Sequence, residues 1–97
     1  MSEKAFLLIE TDAKKTSEII NFITQIDGIK SANQVAPPYN IYDIITLVET
    51  SNISEIGAIA LKIKSLSGVY RCVTCVITGT GEVVCRQAVN TITVTRN

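Results

Sequence analysis

Histidine is absent from all 97 residues. That removes at once the commonest general base and the commonest transition-metal ligand, and it counts against hydrolases and oxygenases. Aromatic residues make up only 5%, and nine basic side chains balance nine acidic ones. Without a basic field, nothing draws nucleic acid or an anionic membrane surface to the chain. Long hydrophobic runs are also missing. The longest are strand length, well short of the roughly 20 apolar residues of a membrane helix, and no signal peptide is visible. Cysteine is present three times, an odd number that does not make a closed disulfide framework. A reduced, cytoplasmic protein is the expectation.

What the chain does hold is aliphatic surface. Its apolar fraction is 46%, carried by Ile, Val and Leu. A single domain of this length has too little interior to hide that much, so part of it is expected in a subunit interface. Zero net charge favours such self-association.

The pattern reads strand, helix, strand, twice. Lys4 to Glu10 is a short apolar run that predicts a buried strand, and Asp12 to Thr16 supply polar helix-start residues. Ile19, Phe22, Ile23 and Ile26 then recur at helical spacing, and Gly28 provides the stop. Ile29 to Val35 returns as a strand. In the second half, Asp43 to Glu49 is the strand, Ser51 or Ser54 the helix cap, and Ile56, Ile59, Ala60 and Ile63 the apolar face. Gly68 ends that helix before a strand over Val69 to Thr78. Sliding the chain by forty residues lays Gly28 on Gly68, Ile26 on Leu66 and Ile19 on Ile59. Two such units predict an α+β, ferredoxin-like βαββαβ sandwich with helices on one sheet face. The other face needs a cover, which a second copy would supply. Residues 1–78 form this domain, and 79–97 extend it with a turn at Gly79 to Glu82 and a fifth strand within Val83 to Thr95. That strand either folds back on the sheet or reaches a neighbouring subunit.

Candidate chemistry is sparse. Cys72 and Cys75 form a C-x-x-C inside a strand, where residues three apart face opposite ways and cannot share a metal. Packing is the simpler role, for Cys85 as well. The glycines of Thr78 to Glu82 make neither a dinucleotide fingerprint nor a P-loop, so a hairpin turn is expected and no cofactor. Tyr39, Tyr42 and Tyr70 lack the basic stripe of a nucleic-acid platform. Lys62 and Lys64 read as a solvated helix face. Asp43 stands out, a carboxylate at the mouth of a strand behind the stiff segment Ala36 to Tyr42. It is either a hydrogen-bonded loop aspartate or an anion set for a ligand's ammonium group.

The order of elements, with D-G-I closing the first helix, Y-D opening the third strand and L-S-G-V closing the second helix, resembles the effector-binding domain of Lrp/AsnC transcriptional regulators. This is the RAM domain, named for regulation of amino-acid metabolism. The likeness runs from about Lys4 to Thr78. It implies a ferredoxin-like fold, a dimeric α+β barrel formed through open sheet faces, and homo-oligomers that extend to rings of dimers. It also implies a non-enzymatic module binding a small-molecule effector, an amino acid, in clefts between dimers. Carried over by position, Tyr42 and Asp43 match the family's Y-D, Thr74 matches a strand-four threonine, and Val76 and Ile77 match apolar residues lining the cleft. Two departures alter the site. The loop A-P-P-Y-N-I-Y-D is about three residues longer than the family's T-G-x-Y-D and lacks its glycine, and Cys72 replaces a threonine. The first strand starts within about four residues of Met1. A stand-alone RAM protein is therefore expected, without a helix-turn-helix and without direct nucleic-acid binding, that modulates a full-length Lrp/AsnC-type regulator. The alternatives are a dimeric α+β barrel enzyme using a tyrosine or aspartate, and a structural oligomer without ligand.

Overall fold

The computed structural model describes residues 2–35, 41–78 and 83–87. In chain order they form β1 (Glu3–Thr11), α1 (Thr16–Ile23), β2 (Ile29–Gln34), β3 (Ile44–Thr50), α2 (Ile53–Lys64), β4 (Val69–Ile77) and β5 (Val83–Gln87). The five strands make one sheet in the order β2-β3-β1-β4-β5, with every neighbouring pair antiparallel. This small α+β architecture is compatible with the ferredoxin-like sandwich. The prolines Pro37 and Pro38, the turn at 79–82 and the end of the C-terminal run at 88–97 lie outside the described residues. The part of that run that is described, β5, folds back beside β4 on its own sheet.

Alternation along the strands decides the layers. Ala5, Leu7 and Ile9 of β1 and Ile44 and Val48 of β3 are fully buried toward the helices. They meet Ile19 and Ile23 of α1 and Ile56, Ile59, Ala60 and Ile63 of α2 in one core. Burying an aliphatic side chain of this size contributes about 1.5–3 kcal/mol. Thr46 is the exception in this layer. Its hydroxyl is buried without a partner among the described residues, a cost of roughly 1–3 kcal/mol.

The two helices differ in how they begin. Asn52, rather than Ser51 or Ser54, caps α2: its side chain accepts from the Glu55 amide at 3.0 Å. Glu55 reaches back to accept from the Ser51 amide at 3.3 Å, which fixes the residue just before the cap. In α1, Phe22 is 43% exposed and Thr16 is buried in its place. The helix has only eight residues, and its buried residues are Thr16, Ile19 and Ile23, with Ile26 just beyond it packed on the same core, so Phe22 alone departs from the expected stripe. Thr16 can turn inward because its hydroxyl pairs with that of Thr11 at 2.7 Å.

The repeat is visible in the helix stops. Gly28 and Gly68 have φ of 98° and 94°, a region costly for residues with a Cβ. Each glycine carbonyl also accepts a bond from the other half, from the Glu49 amide and from the Asp12 amide, both at 2.8 Å. A Cβ on Gly68 would stand 2.7 Å from Lys15 Cδ. No helix among the described residues is long and apolar enough to cross a membrane.

Candidate functional site

Asp43 sits just before β3 and is held by its backbone on both sides. Its amide donates to the Ile9 carbonyl at 2.7 Å, and its carbonyl accepts from Val35 at 2.8 Å. The side chain has a task of its own. The β1–β4 register slips between Glu10 and Thr11, and Asp43 Oδ2 accepts the Thr11 amide at 2.8 Å, at the bulge. Thr11 then links through Thr16 to Asp12, whose amide bonds Gly68. One carboxylate thus joins the ends of β1 and β3 to a network that reaches the starts of α1 and β4. This is the hydrogen-bonded loop aspartate in a specific form. A carboxylate offers about four acceptor positions, so capacity remains for a ligand ammonium.

Asp43→Ala should therefore cost roughly 1–3 kcal/mol of stability, because a part-buried Thr11 amide loses its acceptor. Asp43→Asn, which keeps an acceptor oxygen, should recover most of it. Urea unfolding followed by circular dichroism checks both variants, and equal losses would remove the hydrogen bond as the cause.

The other residues singled out by sequence do not converge on Asp43 within one protomer. Thr74 and Val76 lie opposite Leu7 and Ala5, which places them on the helix-covered face. Ile77 lies opposite Lys4 on the other face. Asp43 stands where β1 ends, near Glu10 and Arg71. Along the strand, Thr74 is about 10 Å and Ile77 about 20 Å beyond Arg71. Tyr42 is half-buried beside Asp43. Among the described residues two clefts are present elsewhere, one beside Phe22, Ile26 and Lys62, the other beside Gly28, Thr50, Glu55 and Ile59. Neither contains any of the five residues. No group of three or more His, Cys, Asp or Glu among the described residues could hold a metal ion.

The sheet face away from the helices is the larger feature. Across its middle run Leu47, Phe6, Cys75 and Cys85, with Ile45, Leu8 and Val73 in the next row. Phe6 is 38% and Ile45 36% exposed. Charges mark its ends. Arg71 pairs with Glu10 at 3.5 Å at one. At the other, a hydrogen bond from Ser2, helped by Lys4 and Lys30, holds the Glu49 carboxyl below its ordinary value. An apolar band between charged ends has the composition of an interface.

Sequence reasoning missed one pair. Cys75 and Cys85 stand directly opposite each other across β4 and β5 and are joined as a disulfide, so the expectation of three reduced cysteines is corrected here. Cys72 does follow expectation: it is buried on the opposite face from Cys75. The signal for the pairing was present, since the two cysteines are equidistant from Thr80 in the centre of the predicted turn.

No known family profile and no curated protein matches this sequence. Solved structures do. TTHA0845 of Thermus thermophilus superposes with a TM-score of 0.69 at 25% identity, covering 76% of this chain and 90% of that one. The hypothetical protein PHS023 of Pyrococcus horikoshii gives 0.67 at 27% identity, covering 78% and 88%. FFRP-DM1, a feast/famine regulatory protein, gives 0.68 at 27% identity, covering 76% and 96%. These structural neighbours are small Lrp/AsnC-like proteins, a regulatory protein among them.

Proposed function

We propose that this chain is a non-enzymatic oligomerisation and small-molecule-binding module of the RAM type, working in the cytoplasm and modulating a full-length Lrp/AsnC-type regulator. The observation that carries the reading is the apolar sheet face that no helix among the described residues covers, in a fold similar to that of a feast/famine regulatory protein. Two such faces pack as a dimeric α+β barrel, and dimers then associate further. The scatter of Tyr42, Asp43, Thr74, Val76 and Ile77 over one protomer fits a site completed by neighbouring subunits rather than a pocket within the chain. An amino acid would place its ammonium on the spare acceptor capacity of Asp43.

Sedimentation at micromolar concentration, paired with a thermal-shift screen of the twenty amino acids, tests this. A dimer or larger even assembly is expected. The effector at a hundred times its Kd should add about 2.7 kcal/mol, a rise in Tm on the order of 10 °C for a domain this size. A monomer at these concentrations would overturn the reading. An assembly that responds to no amino acid would leave the structural-oligomer alternative.

A further inference from the structure

The three cysteine sulfurs occupy two different environments. Cys72 lies on the helix-covered face, fully buried, and its thiol is pushed up to about 12 by burial. Cys75 and Cys85 lie on the open face, where Cys75 is 6% exposed and Cys85 is exposed. Their bond joins the outermost strand, β5, to β4, which among the described residues is the only strand β5 pairs with. β5 has five residues, and among the described residues its ladder to β4 is the other thing that ties it to the sheet. An edge strand is held by hydrogen bonds to one neighbour only, so a covalent link across that ladder adds to its hold.

We propose that Cys75–Cys85 is a reversible thiol–disulfide exchange site for small-molecule thiols, and that its state determines whether β5 is fixed to the sheet. Exchange begins at the exposed sulfur. The thiolate of a dithiol attacks Cys85 Sγ, the Cys75–Cys85 bond breaks, and Cys75 leaves as a thiolate that takes a proton from water. The second thiolate of the same reagent attacks its own sulfur in the mixed disulfide and releases Cys85. Two electrons pass from the dithiol to the protein, and the reagent leaves as a cyclic disulfide. The reverse, with oxidised reagent, reforms the bond. Cys72 takes no part, because its thiol stays protonated and shielded. Reduction removes the clip on β5 and also breaks the row Leu47, Phe6, Cys75, Cys85 at its edge. The effect on self-association rests on the dimer face proposed above, whereas the release of β5 does not.

The test uses the whole chain equilibrated with oxidised or reduced dithiothreitol. Peptide mapping should find one intramolecular disulfide, Cys75 to Cys85, in the oxidised sample. Iodoacetamide should label Cys85 in the reduced protein and spare Cys72. Amide hydrogen exchange over 83–87 should be tenfold or more faster after reduction, with β1 and β3 unchanged. Cys85→Ser should behave as the reduced protein in both conditions. Absence of the bond in the oxidised sample, pairing through Cys72, or equal exchange in the two states would overturn the proposal. Weakened self-association on reduction, about tenfold, is the second readout. If it fails while the exchange result holds, the fault lies with the dimer face and not with the exchange site.

Discussion

Leu8→Lys should abolish self-association at micromolar concentration while leaving the protomer folded. Leu8 lies in the row beside the middle of the open face, between Ile45 and Val73, and its side chain takes no part in the helix-side core. In a protomer alone, a lysine there can send its ammonium to solvent. In a twofold interface the substitution occurs twice, near the centre of the contact. Two like charges are then taken from water with no partner, at a cost of about 4 kcal/mol or more. Since each 1.4 kcal/mol is about tenfold, the dissociation constant should rise roughly a thousandfold. Leu61→Lys, on the outer face of α2 where Leu61 is 44% exposed, is the control. It should leave assembly unchanged. Sedimentation velocity over a range of concentrations reads both variants. If Leu61→Lys dissociates the assembly and Leu8→Lys does not, subunits meet through the helices and the barrel arrangement is wrong.

The repeat was readable because it rests on local rules. Short apolar runs marked β1 and β3, the stripe Ile56, Ile59, Ala60 and Ile63 marked α2, and Gly28 and Gly68 marked the helix ends. Each of these depends on residues close in sequence. What local rules could not settle was a choice between near-equal options. In α1, Ile19 and Ile23 face the core as their spacing indicates, but Thr16 rather than Phe22 joins them, because its hydroxyl pairs with that of Thr11 from the neighbouring strand. Asn52 outcompetes two nearby serines as cap, because its position and Oδ1 suit the Glu55 amide. The role of Asp43 needed the bulge at Glu10 and Thr11, which arises from pairing between strands about sixty residues apart in sequence. An aspartate before a strand says only that an acceptor is there. Which donor it serves depends on how the β1–β4 ladder slips. The candidate site was legible as a set of residues and not as a place. Thr74, Val76 and Ile77 are close in sequence, yet strand alternation sends them to both faces, away from Asp43.

Cys72 supplies the other large expected effect, a loss of stability in alkali. Its thiol stands at an ordinary value of 9.0 when unfolded and is pushed up to about 12 in the fold, by burial, with the Lys64 charge opposing it. Between those two values the unfolded chain has released a proton that the folded chain retains. The unfolded state then binds fewer protons than the native one, so stability falls as pH rises, at up to about 1.4 kcal/mol per unit. The contribution is complete below pH 9 and is lost progressively toward 12. By pH 11 the loss should be roughly 3 kcal/mol, a large share of the 5–15 kcal/mol typical of small domains. The measurement is best made in a Cys75→Ser, Cys85→Ser background, where a freed Cys72 thiolate has no disulfide to attack. Urea midpoints at pH 8, 9.5 and 11 should fall more steeply there than in the same background carrying Cys72→Ala. The alanine variant begins lower, since it leaves a small cavity beside Ile9 and the α2 face, but that deficit does not vary with pH. The two curves should therefore converge as pH rises. Curves that stay parallel would mean that the thiol ionises in the folded state as readily as in the unfolded one, so that water reaches it. Cys72 would then be open to the same alkylating and exchanging reagents as Cys85, and the division of labour between the two sheet faces would fail with it.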